Sequence, residues 1–206
     1  MRWLAHIEFA HEDIPDELTW SKVDVSRLNN EKTIELLRTI GIAHSLRPFL
    51  WPRFCGATAK KNASSFTYEN VVKQCQKDKP SIGAQIEKDL LRTLPNNICF
   101  WRENSKGIEA LRRVLRSVAY MYPDVGYCQG MGVIVASLLL FCSEETTFWI
   151  MSTLIEDIFP PNYYSRSLLG LQVNFIEFKS GNFIFFIDLS FVYHFLRFLN
   201  RTYEFI

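Results

Sequence analysis

No C-x-x-C pair, no basic excess, no internal repeat and no apolar run of membrane-spanning length occurs in these 206 residues. Each absence removes a class of function. The five cysteines (55, 75, 99, 128 and 142) are odd in number and widely spaced, which excludes a zinc site or disulfide frame and fits reduced thiols of a cytosolic protein. A net charge of +1, with acids and bases interspersed, argues against a nucleic-acid module. No G-x-x-x-x-G-K-[ST] run is present, so the chain brings no phosphate-cradling loop of its own. Met1–Glu12 carries His6, Glu8, His11 and Glu12 and therefore lacks the apolar centre of a signal peptide. From Asn174 onward the chain holds nine of its 17 phenylalanines, yet Lys179, Asp188 and Arg197 interrupt it. An Asp at mid-span costs about 2.5–3.5 kcal/mol, so stable membrane insertion is not expected.

What remains is a chain with 48% apolar residues, enough for a full hydrophobic core. Its densest apolar stretch, Gly132–Cys142, has almost no polar side chains and predicts a helix buried on every face at the centre of the domain. A Pro123–Gly126 turn precedes it, and Tyr127-Cys128-Gln129-Gly130 lies at its mouth, a polar amide where loop meets core. The clearest amphipathic pattern is Ile108, Leu111, Val114, Leu115, Val118, Ala119 and Tyr122, with Arg112, Arg113 and Arg116 on an outer face expected to be solvated. Asn30 caps an expected helix to about Ile40, with Ile34, Leu37 and Ile40 inward and Gly41 as its stop. Phe66–Lys77 reads as a short helix. Ser81 is the expected cap of a helix reaching Thr93, with Ile82, Ile86 and Leu90 facing in. Ser143 caps another, which carries Phe148, Trp149, Met151, Leu154 and Ile155 and stops at Pro160-Pro161. Residues 1–30 mix aromatics with acids and read as a lead-in whose tryptophans pack on the domain behind. The fold class is all-α.

Two pairs stand out by spacing. Arg47 and Trp51 are four apart beside Pro48 at a helix start, where a guanidinium can lie on an indole; this reads as a structural clamp. Asp89 and Arg92 are three apart, acid before base, and spacing alone reads as a surface ion pair worth under about 1 kcal/mol.

Three segments, in order, together resemble the TBC domain, the all-helical GTPase-activating module for Rab-type small GTPases. They are Arg47-x-x-x-Trp51, Ile86-x-x-Asp89-x-x-Arg92 and Tyr127-x-Gln129-Gly130. The wording of QIEKDLLRTLPNN, LRRVLRSVAYMYPDVGYCQGMG and FWIMSTLIEDIFPPNYYS is similar to the small G-protein signalling modulators within that family. The resemblance runs to about Val173, and the family's domain continues with further helices that are expected to be missing here. It implies a lead-in over 1–45, the N-terminal part of a TBC domain over 46–173, incomplete on its C-terminal side, and a divergent Phe-rich tail over 174–206. With that second group of helices absent, Leu138, Leu140, Phe148, Met151 and Ile155 are expected to lack a partner on one side.

The resemblance also implies roles. Arg92 would be an arginine finger and Gln129 would stand in for the GTPase's own glutamine. Asp89 would orient the guanidinium, Tyr127 would support the Gln loop, and Ile86, Gly130, Arg47 and Trp51 would be the structural members of the motifs. GTP and Mg²⁺ would belong to the partner, a Rab-family GTPase; the chain itself would need no cofactor. Localisation would be cytoplasmic, with peripheral recruitment to endomembranes through that GTPase. The rival reading, from another class, is a truncated and catalytically silent protein that binds a GTPase or scaffold.

Overall fold

A computed structural model of the chain describes residues 2–14, 17–75, 80–159 and 163–164. Among these residues the regular structure is helical throughout, as the sequence pattern requires: α1 (Arg2–Ala10), α2 (Glu31–Thr39), α3 (Arg47–Phe54), α4 (Ala57–Ala63), α5 (Tyr68–Cys75), α6 (Pro80–Leu90), α7 (Lys106–Met121), α8 (Met131–Leu139) and α9 (Glu144–Thr153). The Phe-rich tail and the Pro160-Pro161 stop lie outside the described residues.

Local chemistry starts several of these helices. Asn30 accepts the backbone N–H of Thr33 at the head of α2, and Ser143 accepts that of Thr146 at the head of α9. Ser105 does the same for Ile108 and starts α7. Helix α6 begins at Pro80, one residue before the expected cap, and Pro is suited to a first helical position.

The long helix α7 is the member the others are built on, packing against α5, α6, α8 and α9. Its inward stripe of Ile108, Leu111, Val114, Leu115 and Val118 is fully buried. Helix α8 is buried as expected through Met131, Ile134, Val135, Ala136 and Leu138, but it is one wall of the core and α7 is its axis. The main core joins these side chains to Trp51, Ile86, Leu90, Phe100, Phe148, Trp149 and Leu154.

The first 46 residues build a core of their own. Trp3 and Ile7 of α1 meet Val23, Leu28, Leu36, Leu37 and Leu46, with Leu50 of α3 closing it. Helix α3 spans the boundary, since Leu50 belongs to this smaller core and its neighbour Trp51 to the main one. Trp20 stacks on Phe49, with centroids 4.5 Å apart, and Trp3 donates its indole N–H to the carbonyl of Gly41 at 2.7 Å.

Three expectations are corrected. The inward face of α2 is Thr33, Leu36 and Leu37, and Ile40 is exposed, because the smaller core draws on the face one residue back. Leu138, Phe148 and Met151 are fully buried, with Leu140 and Ile155 half-buried; α8 and α9 pack on each other and on α7, and Phe148 lies against Tyr68 of α5 and its neighbour Trp149. The arginine face of α7 is not simply solvated. Arg112 and Arg116 both reach Glu87 of α6, at 2.8 and 3.1 Å, and Arg113 grips Glu144 of α9 with two bonds of 2.8 and 2.7 Å.

Candidate functional site

Helix α6 ends at Leu90, so Arg92 stands in the turn after it and not on a helix flank. The ending has a cause in the side chains. The hydroxyl of Thr93 donates to the carbonyl of Asp89 at 2.8 Å, while the Arg92 and Thr93 amides bond three residues back to Asp89 and Leu90. These tighter bonds draw the chain out of the α-helix. Leu94 then takes a φ of +49°, a left-handed conformation costly for a residue with a Cβ, and Pro95 follows.

Asp89 and Arg92 differ sharply in exposure. The Arg92 side chain is 69% exposed, whereas that of Asp89 is 16% exposed. Nη2 of Arg92 donates to Oδ1 of Asp89, and its Nε donates to the Lys88 carbonyl at 3.1 Å. The other carboxylate oxygen, Oδ2, accepts the hydroxyl of Tyr127 at 2.8 Å. Asp89 thus holds a guanidinium with one oxygen and a phenol with the other. Burial first, and the neighbouring Asp89 carboxylate second, push the Tyr127 phenol well above its ordinary pKa, so it remains a donor at any physiological pH.

Tyr127 belongs to the segment that leads into α8. From Cys128 to Met131 the chain makes a tight turn, closed by the Met131 amide on the Cys128 carbonyl at 3.2 Å. Gln129 and Gly130 are its two central residues. Gly130 has φ +97° and ψ −24°, the values a type II turn needs at its third position and which a residue with a Cβ resists. Gln129 is exposed at the tip of that turn. The Tyr127–Asp89 bond therefore joins the Arg92 turn to the Gln129 turn, across α6 and α8.

Gly132, in the first turn of α8, is a member that sequence spacing did not single out. A Cβ built on it would lie 2.9 Å from Oγ1 of Thr93 and 3.5 Å from the Tyr127 hydroxyl. Thr93 is itself buried. The signal available in the sequence was a glycine near the start of an otherwise apolar helix.

The remaining motif residues lie elsewhere. Ile86 is fully buried beneath α6. Arg47 places its guanidinium carbon 5.3 Å from the Trp51 ring and 4.8 Å from the ring of Phe141, so the expected clamp has a second aromatic wall. Its Nε donates to the Ile42 carbonyl at 3.1 Å, and burial lowers the guanidinium's pKa from its ordinary value. Arg47 and Trp51 thus brace α3 against the segment after α8. Past Arg92, residues 95–104 form a surface loop with Ile98 and Trp101 exposed, Arg102 over the Trp101 ring at 4.1 Å, and the thiol-bearing Cys99 also exposed. Among the described residues, no three His, Cys, Asp or Glu side chains converge as a metal site, and no helix is long and apolar enough to cross a membrane.

The helical scaffold thus carries an exposed arginine and an exposed glutamine on two turns joined through Asp89 and Tyr127. Residues 44–181 match the Rab-GTPase-TBC domain family, and the chain belongs to it. It is 48% identical over 174 residues to small G protein signaling modulator 3 of Rattus norvegicus and to that of Homo sapiens, covering 84% of this chain and 23% of those relatives. It is 33% identical over 176 residues to TBC1 domain family member 2B of Xenopus tropicalis, covering 82% and 19%. The solved Chlamydomonas flagellar RabGAP TBC domain superposes with a TM-score of 0.62 at 27% identity, over 85% of this chain and 57% of that one. The chain spans about a quarter of the length of the curated relatives it matches.

Proposed function

We propose that this chain stimulates GTP hydrolysis by a Rab-type small GTPase, with Arg92 as an arginine finger and Gln129 as the group that holds the attacking water. The observation that carries this is the tether itself: an exposed guanidinium anchored on a largely buried carboxylate, and that carboxylate bonded to the tyrosine that leads into the Gln129 turn.

Hydrolysis adds water to the γ-phosphorus and breaks its bond to the β-phosphate bridging oxygen, which leaves GDP and inorganic phosphate. Charge spreads over the equatorial and leaving oxygens in the transition state. A planar guanidinium can donate two parallel bonds to those oxygens. The Gln129 amide can accept a proton of the water and donate to the phosphoryl group. Mg²⁺ and nucleotide are the partner's. An arginine finger supplied in trans is worth about 10³–10⁵ in rate, or roughly 4–7 kcal/mol of barrier. Endomembrane association would follow from the GTPase, which the chain meets peripherally.

Single-turnover hydrolysis by a panel of GTP-loaded Rab proteins, with the wild-type chain and with Arg92→Ala, tests the proposal. Stimulation by the wild type that Arg92→Ala abolishes is the expected result. Binding of a GTP-loaded Rab with no acceleration by the wild type would overturn it in favour of a silent binder.

A further inference from the structure

Alanine is the better helix former, so a glycine inside the first turn of α8 calls for a packing reason. The reason is on the opposite element. Thr93 closes the turn that carries Arg92, is almost completely buried, and has its hydroxyl against the place where a Cβ on residue 132 would be, at 2.9 Å. Its methyl group would lie 3.8 Å from the same point, an ordinary contact. The hydroxyl is not free to swing away, since it donates to the Asp89 carbonyl at 2.8 Å. Tyr127, whose hydroxyl holds Oδ2 of Asp89, would be 3.5 Å from that Cβ. Two of the side chains that join the two turns, Thr93 and Tyr127, thus converge on one missing side chain.

We infer that Thr93 and Gly132 form a spacer pair that sets how far the Arg92 turn stands from the Gln129 turn, making both of them positioning residues for the hydrolysis proposed above. The inference rests on that proposal. Thr93 follows Arg92 directly, and Gly132 follows Gln129 by three residues, so separation at their contact is passed to both side chains through very short lengths of backbone. The anchor at Asp89 keeps Arg92 on its carboxylate; the spacer fixes where that carboxylate stands relative to α8. A methyl group at residue 132 must push the Thr93 hydroxyl outward by a few tenths of an ångström or more, and misplacements up to 1 Å can cost as much as about 10²-fold in rate.

The test uses the full chain as wild type, Gly132→Ala, Thr93→Ala, Thr93→Ser, the Gly132→Ala/Thr93→Ala double variant and Arg92→Ala. Gly132→Ala should lower the maximal stimulated rate about 10-fold or more, with the half-saturating concentration of GTP-loaded GTPase unchanged within about 2-fold. Removing the obstructing hydroxyl should rescue it: the double variant should be faster than Gly132→Ala alone, a coupling that independent losses of stability would not produce. Thr93→Ser keeps the hydroxyl and should stay near wild type. Residue-resolved amide exchange at Arg92 and Thr93 gives a second readout that needs no activity. Their amides bond to Asp89 and Leu90; exchange should quicken in Gly132→Ala and, with the hydroxyl's bond lost, in Thr93→Ala, and the two effects should be less than additive in the double variant. Unchanged exchange, absent rescue, or a wild-type rate in Gly132→Ala would each overturn the spacer pair. Arg92→Ala reports separately on the finger. Full stimulation by that variant would overturn the proposed function, whereas abolition by it with no effect of Gly132→Ala would overturn the spacer pair alone.

Discussion

At the scale of single residues, the decisive contrast is between Arg92, open to solvent, and Asp89, which is not. Arg92→Lys should remove nearly all stimulation, because an ammonium on a flexible stem cannot reproduce the planar fork. The same change should leave the thermal melt within about 2 °C of wild type, since an exposed substitution shifts stability by no more than about 0.5 kcal/mol. Single-turnover kinetics and a melt on one preparation check both halves. Gln129→Ala should slow hydrolysis without weakening GTPase binding, and stimulation by the wild type should survive mutation of the GTPase's own glutamine. If that second mutation alone abolishes stimulation, Gln129 has no catalytic role. Tyr127→Phe keeps the ring in its buried place but strips Oδ2 of Asp89 of its donor. Hydrogen bonds to charged groups contribute about 1.5–3 kcal/mol, so a loss of about 10-fold or more in maximal rate is expected.

At the scale of elements, the candidate site residues sit at the ends of helices and the core residues in their middles. Gly130 is an instance: no atom lies within 4 Å of where its Cβ would be, so the cost of Gly130→Ala is conformational alone. It should lower stability by about 1–2 kcal/mol, read as a fall in the denaturation midpoint. Glu144 at the head of α9 is held by Arg113 of α7 and by the Tyr68 hydroxyl of α5. The Arg113 bonds draw its pKa below the ordinary 4.5 against an opposing desolvation. A carboxylate with a depressed folded pKa stabilises fully above its unfolded pKa and loses that contribution as pH falls through the folded value. Melts of wild type and Arg113→Gln should therefore differ most between about pH 6 and 8, by under about 1 kcal/mol given the exposure of Arg113, and the gap should narrow as acid titrates Glu144 below its ordinary range. A gap that stays constant as pH falls until the protein unfolds would show that Glu144 is not the source.

Much of this was legible in the residues themselves. The stripe of α7, the caps Asn30 and Ser143 and the Arg47–Trp51 clamp each depend on neighbours within one or two turns of chain, and local pattern reads such features. The end of α6 was not legible, because it depends on Thr93 turning its hydroxyl back to Asp89 against a glycine 39 residues onward. The arginines of α7 were misjudged for a similar reason. Their partners Glu87 and Glu144 come from other helices, and no periodicity within α7 announces them. Helix α1 was hidden by its shortness and by His6 and Glu8 among its apolar residues; only Trp3 and Ile7, four apart, mark its buried side.

At the scale of the whole molecule, α3 couples two cores that would otherwise be separable, with Leu50 in one and Trp51 in the other. Leu28→Ala in the smaller core should cost about 2–5 kcal/mol, as buried Leu→Ala changes do. Because α3 is shared, unfolding should stay a single cooperative transition by circular dichroism and by tryptophan fluorescence. Two resolved transitions would show that residues 2–46 are an independent unit.

The thiols open a practical route to watching the proposed encounter. Cys99 is exposed in the loop after Arg92, whereas Cys55, Cys75, Cys128 and Cys142 are buried. Burial pushes Cys142 up to about 12 and raises Cys128 as well, so at neutral pH neither offers much thiolate to an electrophile. One maleimide dye per native chain is the expected stoichiometry by mass spectrometry, placed seven residues from the candidate finger without any mutation. Its emission would then register the arrival and departure of a GTPase in real time, independently of whether phosphate is released.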